Sequence, residues 1–81
     1  MAKNNTICVL YDEVADNYSA PIAFANEAAA VRHLANVAKQ DPNAKDYKLY
    51  AVADYDPEIG KLLPFGENKL LAKGVDYVKK N

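Results

Sequence analysis

Residues 46–60, DYKLYAVADYDPEIG, decide the fold of this chain, because a strand, the turn that ends it and the start of a returning strand follow one another there. Tyr47, Leu49, Ala51, Ala53 and Tyr55 alternate with Lys48, Tyr50, Val52 and Asp54, and successive strand side chains point to opposite faces. One face is mostly apolar and the other mixes polar and aromatic groups, the pattern of a half-buried β-strand. Asp56-Pro57-Glu58-Ile59-Gly60 then carries the chemistry of a reversal. Pro57 presets φ, the Asp56 carboxylate can accept from a backbone amide two residues on, and Gly60 can take a positive φ. Lys61-Leu62-Leu63-Pro64-Phe65 is expected to return antiparallel, with Pro64 stopping the pairing and Gly66-Glu67-Asn68 forming a loop.

Thr6-Ile7-Cys8-Val9-Leu10-Tyr11 is β-branched and apolar on both faces, which predicts a central strand. Asp12–Asn17 is a polar connection. Residues 18–24, YSAPIAF, read as a shorter extended piece, and Pro21, lacking an amide donor, places it at an edge or bulge. Asn26 is a good N-cap, Glu27 puts negative charge at the positive end of the helix dipole, and a helix follows over Glu27–Gln40. Ala28, Val31, Leu34, Ala35 and Ala38 fall on one face with Val37 at its margin, while Arg32, Asn36, Lys39 and Gln40 fall largely on the other. Asp41-Pro42-Asn43 ends the helix, since the residue before proline avoids the α region. Residues 69–78, KLLAKGVDYV, admit a helix through Leu70, Leu71, Val75 and Val78. Gly74 and Val75 favour extended or irregular structure instead.

The pattern predicts one α+β domain over residues 1–81: a small antiparallel β-sheet of about three to five strands with one main helix, residues 27–40, packed on one face. The ends, 1–5 and 79–81, are expected to be flexible. A chain of 81 residues buries a modest share of its surface, so self-association as a homo-oligomer is expected to help it. The apolar fraction of 51% is raised by alanine, which permits close packing and supplies little buried area. A formal charge of −1 gives no global attraction to a polyanion, yet the average conceals a gradient. Most acidic groups precede residue 69, whereas Lys69, Lys73, Lys79 and Lys80 face only Asp76 after it. Such a tail suits phosphate contacts, and it equally suits a solvated terminus.

Cys8 is the single cysteine, which excludes an intramolecular disulfide and fits a reducing, intracellular setting. Its apolar neighbours predict a buried, inert thiol. MAKNNT has no secretion-signal pattern and no window approaches a membrane span, so no membrane partner is expected. His33, the one histidine, lies beside the apolar helix face without a sequence partner for general-base work or for a metal. Asp12/Glu13 and Asp54/Asp56 stand at strand ends, where carboxylates ordinarily serve turns. Neither catalytic residue, metal site nor cofactor is indicated. The tyrosines, Tyr11, Tyr18, Tyr47, Tyr50, Tyr55 and Tyr77, stand out more. On a sheet they suit base stacking if lysines line the path, and Lys48 beside Tyr50 is the nearest such arrangement. A tyrosine on a strand also closes small cores or meets another subunit.

The order of these features is similar to a known family. An N-terminal strand ending in Tyr11-Asp12 comes first, followed by Tyr18 with Ala20-Pro21, and by Phe24-Ala25-Asn26-Glu27 opening a helix with Arg32. Asp41-Pro42, residues 46–50 and the Asp54-Tyr55-Asp56 to Gly60 turn complete it. Over about residues 6–64 the chain resembles the small nonstructural protein of the gokushoviruses, single-stranded DNA bacteriophages of the Microviridae. The resemblance implies a non-enzymatic protein of the host cytoplasm that shifts the infected cell from copying duplex genomes to making and packaging single strands. Its implied partners are single-stranded DNA or viral and host replication or capsid proteins. The residues that suit DNA are Lys48, Tyr50, Lys69, Lys73, Lys79 and Lys80. The alternative is a protein-interaction module that touches no nucleic acid.

Overall fold

β1 (Asn5–Asp12) and β4 (Tyr47–Asp56) are the inner strands of an antiparallel five-stranded sheet. β5 (Lys61–Lys73) pairs with the free side of β4, while β2 (Asn17–Tyr18) and β3 (Ile22–Phe24) both pair with the free side of β1. One helix, α1 (Glu27–Gln40), packs against the sheet, so the fold is α+β. Two short 3-10 helices, Pro42–Asp46 and Gly74–Asp76, complete the architecture of the computed structural model, which describes residues 4–78.

The local chemistry acts where the sequence puts it. Asp56 Oδ1 accepts from the Glu58 amide at 3.0 Å, the Gly60 amide donates to the Asp56 carbonyl at 2.8 Å, and Gly60 has φ +64°. Asn26 Oδ1 accepts from the Ala29 amide at 2.8 Å and caps α1. At its other end the Asp41 amide donates to Val37, and Asp41 Oδ1 accepts from the Asn43 amide, which starts the 3-10 helix. The buried face of α1 is Ala30, Leu34 and Ala38, with Val31, Ala35 and Val37 half-buried. Ala28, expected on that face, is exposed. An alanine-rich first turn gives the helix little rotational preference, so contact with the sheet chooses among Ala28, Ala29 and Ala30. The core that results is Cys8, Ala30, Leu34, Leu49 and Ala51, and burying a side chain such as Leu34 stabilises the fold by about 2 kcal/mol.

Three further expectations need correction. Residues 18–24 form two strands, because Ser19-Ala20-Pro21 leaves the sheet between them; the Ser19 hydroxyl accepts from the Leu10 amide and closes the gap. Gly66-Glu67-Asn68 is no loop between elements but lies within the 13 residues of β5. Pro64 is the last paired residue before an interruption, and pairing resumes at Lys69 opposite Ala51. Phe65–Asn68 thus stand opposite Val52 alone, a large bulge that lets the ladder continue beyond the proline.

The third correction concerns β4 itself. Ile7 pairs with Ala53 but Cys8 pairs with Ala51, so Val52 is an extra residue relative to β1. Directly opposed residues share a face. Leu49 and Ala51 therefore lie with Leu10 and Cys8 on the helix side, whereas Ala53 and Tyr55 lie with Ile7 and Asn5 on the other. The uninterrupted alternation from Tyr47 to Tyr55 does not describe one face. The tail continues β5 to Lys73 and then turns through Gly74–Asp76, in keeping with extended and irregular structure.

Candidate nucleic-acid interface

Register assembles the face opposite α1 in rows. Tyr18 pairs with Tyr11, Tyr11 with Lys48, and Lys48 with Lys73, so one row of two tyrosines and two lysines crosses β2, β1, β4 and β5. The next row is Val9, Tyr50 and Leu70. Tyr18 and Leu70 are exposed, at 56% and 43%, and Tyr11, Lys48 and Tyr50 are half-buried among their neighbours. Flat aromatic rings with adjacent ammonium groups can stack bases and neutralise phosphates.

The tyrosine end is held by a tight turn. Asp12 Oδ1 accepts from the Val14 and Ala15 amides, and Asp16 takes φ +55°, a left-handed conformation that Asp adopts more readily than most residues. Asp16 then accepts a 2.5 Å hydrogen bond from the Tyr11 hydroxyl. That bond, ahead of burial and the nearby carboxylates, pushes the Tyr11 phenol up to about 12. The Tyr11 and Tyr18 rings lie 4.8 Å apart at 42°, a tilted pair fixed at the edge of the sheet.

The sequence candidates separate in space. Lys48, Tyr50 and Lys73 share this face. Lys69 pairs with Ala51 and so belongs to the helix side, where its Nζ lies 2.9 Å from Glu27 in the first turn of α1. Lys79 and Lys80 lie outside the described residues. Lys48 is itself in an ion pair with Glu13, whose hydrogen bond and charge raise the lysine's pKa. Tyr11 and Tyr18, in the sequence only members of the tyrosine set, are placed beside Lys48 by the pairing of β1 with β2 and β4. The signal that locates them is the Asp12–Asp16 turn, which makes tyrosines on either side of it into cross-strand neighbours.

Other titratable groups have structural employment. Cys8 is 1% exposed and its thiol is pushed up to about 11, first by burial and then by the charge of Glu27. His33 stacks at a tilt on Phe24, with ring centroids 5.3 Å apart. Tyr47 donates to Asp41 at 2.9 Å, which raises its pKa and ties β4 to the end of α1.

A family model described as Phage ORF5 protein matches residues 5–77, from the first residue of β1 to the turn after β5. The chain belongs to the Phage ORF5 protein family. It is therefore a bacteriophage protein, and the match spans the whole sheet, α1 and the open face. No curated protein and no solved structure matches the chain significantly. Among the described residues no helix is long and apolar enough to cross a membrane.

Proposed function

We propose that this phage protein acts without catalysis in genome replication or packaging in the host cytoplasm, by holding single-stranded DNA on the open face of its sheet. The observation that supports this reading is the row of Tyr18, Tyr11, Lys48 and Lys73 with Tyr50 beside it, aromatic and cationic groups side by side across four strands. The resemblance to gokushovirus nonstructural proteins supports the same role, a shift from duplex copying to single-strand synthesis. Net charge of −1 makes the local patch, rather than the molecule as a whole, responsible for attraction. Gel shifts with an oligothymidylate at low and physiological salt test it. Binding that weakens at the higher salt and is reduced about fivefold or more by Tyr50→Ala is expected, since stacking contributes about 1–3 kcal/mol per base. No shift at low salt overturns the reading.

A second reading rests on the far end of the β4–β5 ribbon. Ile59, Leu62 and Leu63 are exposed at 67%, 54% and 41%, and Leu62 and Leu63 point to opposite faces of the ribbon. Apolar groups exposed on both faces of a projecting ribbon suit a protein partner that encloses it, either a second copy or a viral or host replication or capsid protein. Under this reading Leu62→Lys with Leu63→Lys abolishes dimerisation or capture of a partner from infected cells and leaves DNA binding intact. A monomer at high concentration with no captured partner excludes it.

A further inference from the structure

A cleft of about 290 Å³ opens at the end of the open face, lined by Glu13, Lys45, Asp46, Tyr47, Lys48, Lys73 and Val75. Its lysines come from three different elements: Lys45 from the 3-10 helix before β4, Lys48 from β4 and Lys73 from the end of β5. The walls are tied together by close contacts. The Glu13 amide donates to the Asp46 carbonyl at 3.0 Å, and Gly74 sits so near Ala44 that a Cβ built on it would lie 1.7 Å from the Ala44 carbonyl oxygen. Within the cleft Lys48 and Lys73 are direct cross-strand partners, a like-charge pairing that costs stability in an antiparallel ladder. Glu13 relieves part of that cost by pairing with Lys48, while Lys45 and Lys73 remain exposed. Local violations of this kind are expected at functional or strained positions.

We infer that this cleft is a phosphate subsite, in which Lys45, Lys48 and Lys73 bind a backbone phosphate of the strand carried by the open face, with Glu13 holding Lys48 in place until the phosphate displaces it. The inference rests on the single-strand reading for the identity of the anion's carrier, and on the cleft alone for the phosphate. Phosphate oxygens accept from three ammonium groups at once, and the row Tyr18, Tyr11, Lys48 and Lys73 leads from the stacking surface into the site. Glu13 acts as a competing anion, so its removal tightens binding where removal of a lysine weakens it.

The experiment uses the full chain and four variants: Lys45→Gln with Lys73→Gln, Glu13→Gln, Tyr50→Ala, and Lys61→Gln as a control lysine at the far end of β5. Oligothymidylate affinity is measured over a range of salt. Because the three lysines share one phosphate, the double lysine variant is expected to lower the slope of log affinity against log salt by up to about 0.7, the share of a single phosphate on a single strand. Glu13→Gln is expected to bind several-fold more tightly, and Lys61→Gln to match the parent. An unchanged slope in the double variant, with Tyr50→Ala still weakened, overturns the subsite and leaves the strand reading standing. In a second arm inorganic phosphate is titrated against chloride at equal ionic strength, with amide chemical shifts as the readout. Shifts at Lys45, Lys73 and Val75 in a protein that binds no oligonucleotide keep the phosphate site and sink the strand reading; shifts nowhere in the cleft, together with no oligonucleotide binding, sink both.

Discussion

The two ends of the β4–β5 ribbon are built from the same pair of strands and behave differently. Toward Tyr47 and Lys73 the ribbon lies under α1, with Leu49 1% exposed and Ala51 fully buried. Toward the Asp56–Lys61 turn it projects beyond the helix, with Leu62 and Leu63 exposed on its two faces, in a molecule measuring 46 × 24 × 16 Å. The division falls at Val52, which is extra relative to β1 and stands alone against Phe65–Asn68 of β5. Beyond it the apolar series changes face: Asp54 takes the helix side and Ala53 and Tyr55 the open side, so no stripe remains for a helix to cover. Before it, alanines on both partners, Ala51 below and Ala30 and Ala38 above, let α1 approach closely. A strand's hydrophobic pattern gains a cover only while the pairing keeps it on one face.

Substitutions test that contrast. The largest effect is expected at the covered end from Gly74→Ala, since the new methyl group meets backbone at 1.7 Å and the flexible end of no side chain can yield. A loss of about 3 kcal/mol or more in urea denaturation is expected, and a loss below about 1 kcal/mol would mean the two 3-10 helices separate freely. Next comes a matched pair, Leu49→Ala and Leu62→Ala. The first removes a buried side chain and is expected to cost about 2–5 kcal/mol, whereas the second, more than half exposed, is expected to stay within about 0.5 kcal/mol. Equal costs would erase the distinction between the ends.

A smaller change is expected in the projecting turn, where Gly60→Ala forces a side chain into φ +64° at about 1 kcal/mol. The local cost appears in thermal denaturation while the signals of the core residues stay in place. The smallest effect appears only in alkali. Tyr11 titrates near 12 in the folded protein against an ordinary value of 10.0, so its link to Asp16 is present below pH 10 and is lost as pH rises toward 12. Replacing Asp16 by Asn is expected to bring one tyrosinate transition down toward the ordinary value, while the thiol of Cys8, raised by burial under α1, stays near 11. A coincident fall of both would mean that the turn and the core open together.

Much of this was legible locally. The Asn26 cap, the Asp41-Pro42 stop and the Asp56 to Gly60 reversal are each set by side chains a few residues from the backbone groups they satisfy, and each forms as expected. The face of α1 was legible except at its first turn, where Ala28, Ala29 and Ala30 look alike. The open-face site was half legible. Lys48 and Tyr50 alternate onto one side within a single strand, but Lys73 joins them only because Leu71 is an extra residue in β5. Without that shift Lys69 and Lys73 would share a face. Instead Lys69 meets Glu27 beside the helix.

Sequence alone set β1, β4, α1 with its two ends and the Asp56 to Gly60 reversal, because caps, turns and alternation act over about one turn of chain, but not the split of residues 18–24 or the reach of β5. Only the tertiary structure decided which residues stand opposite one another: the bulges at Val52, Phe65–Asn68 and Leu71 belong to pairs of strands rather than to either strand alone. Since each extra residue turns every side chain beyond it to the other face, those few positions settle what the helix covers and what the open face offers to a partner.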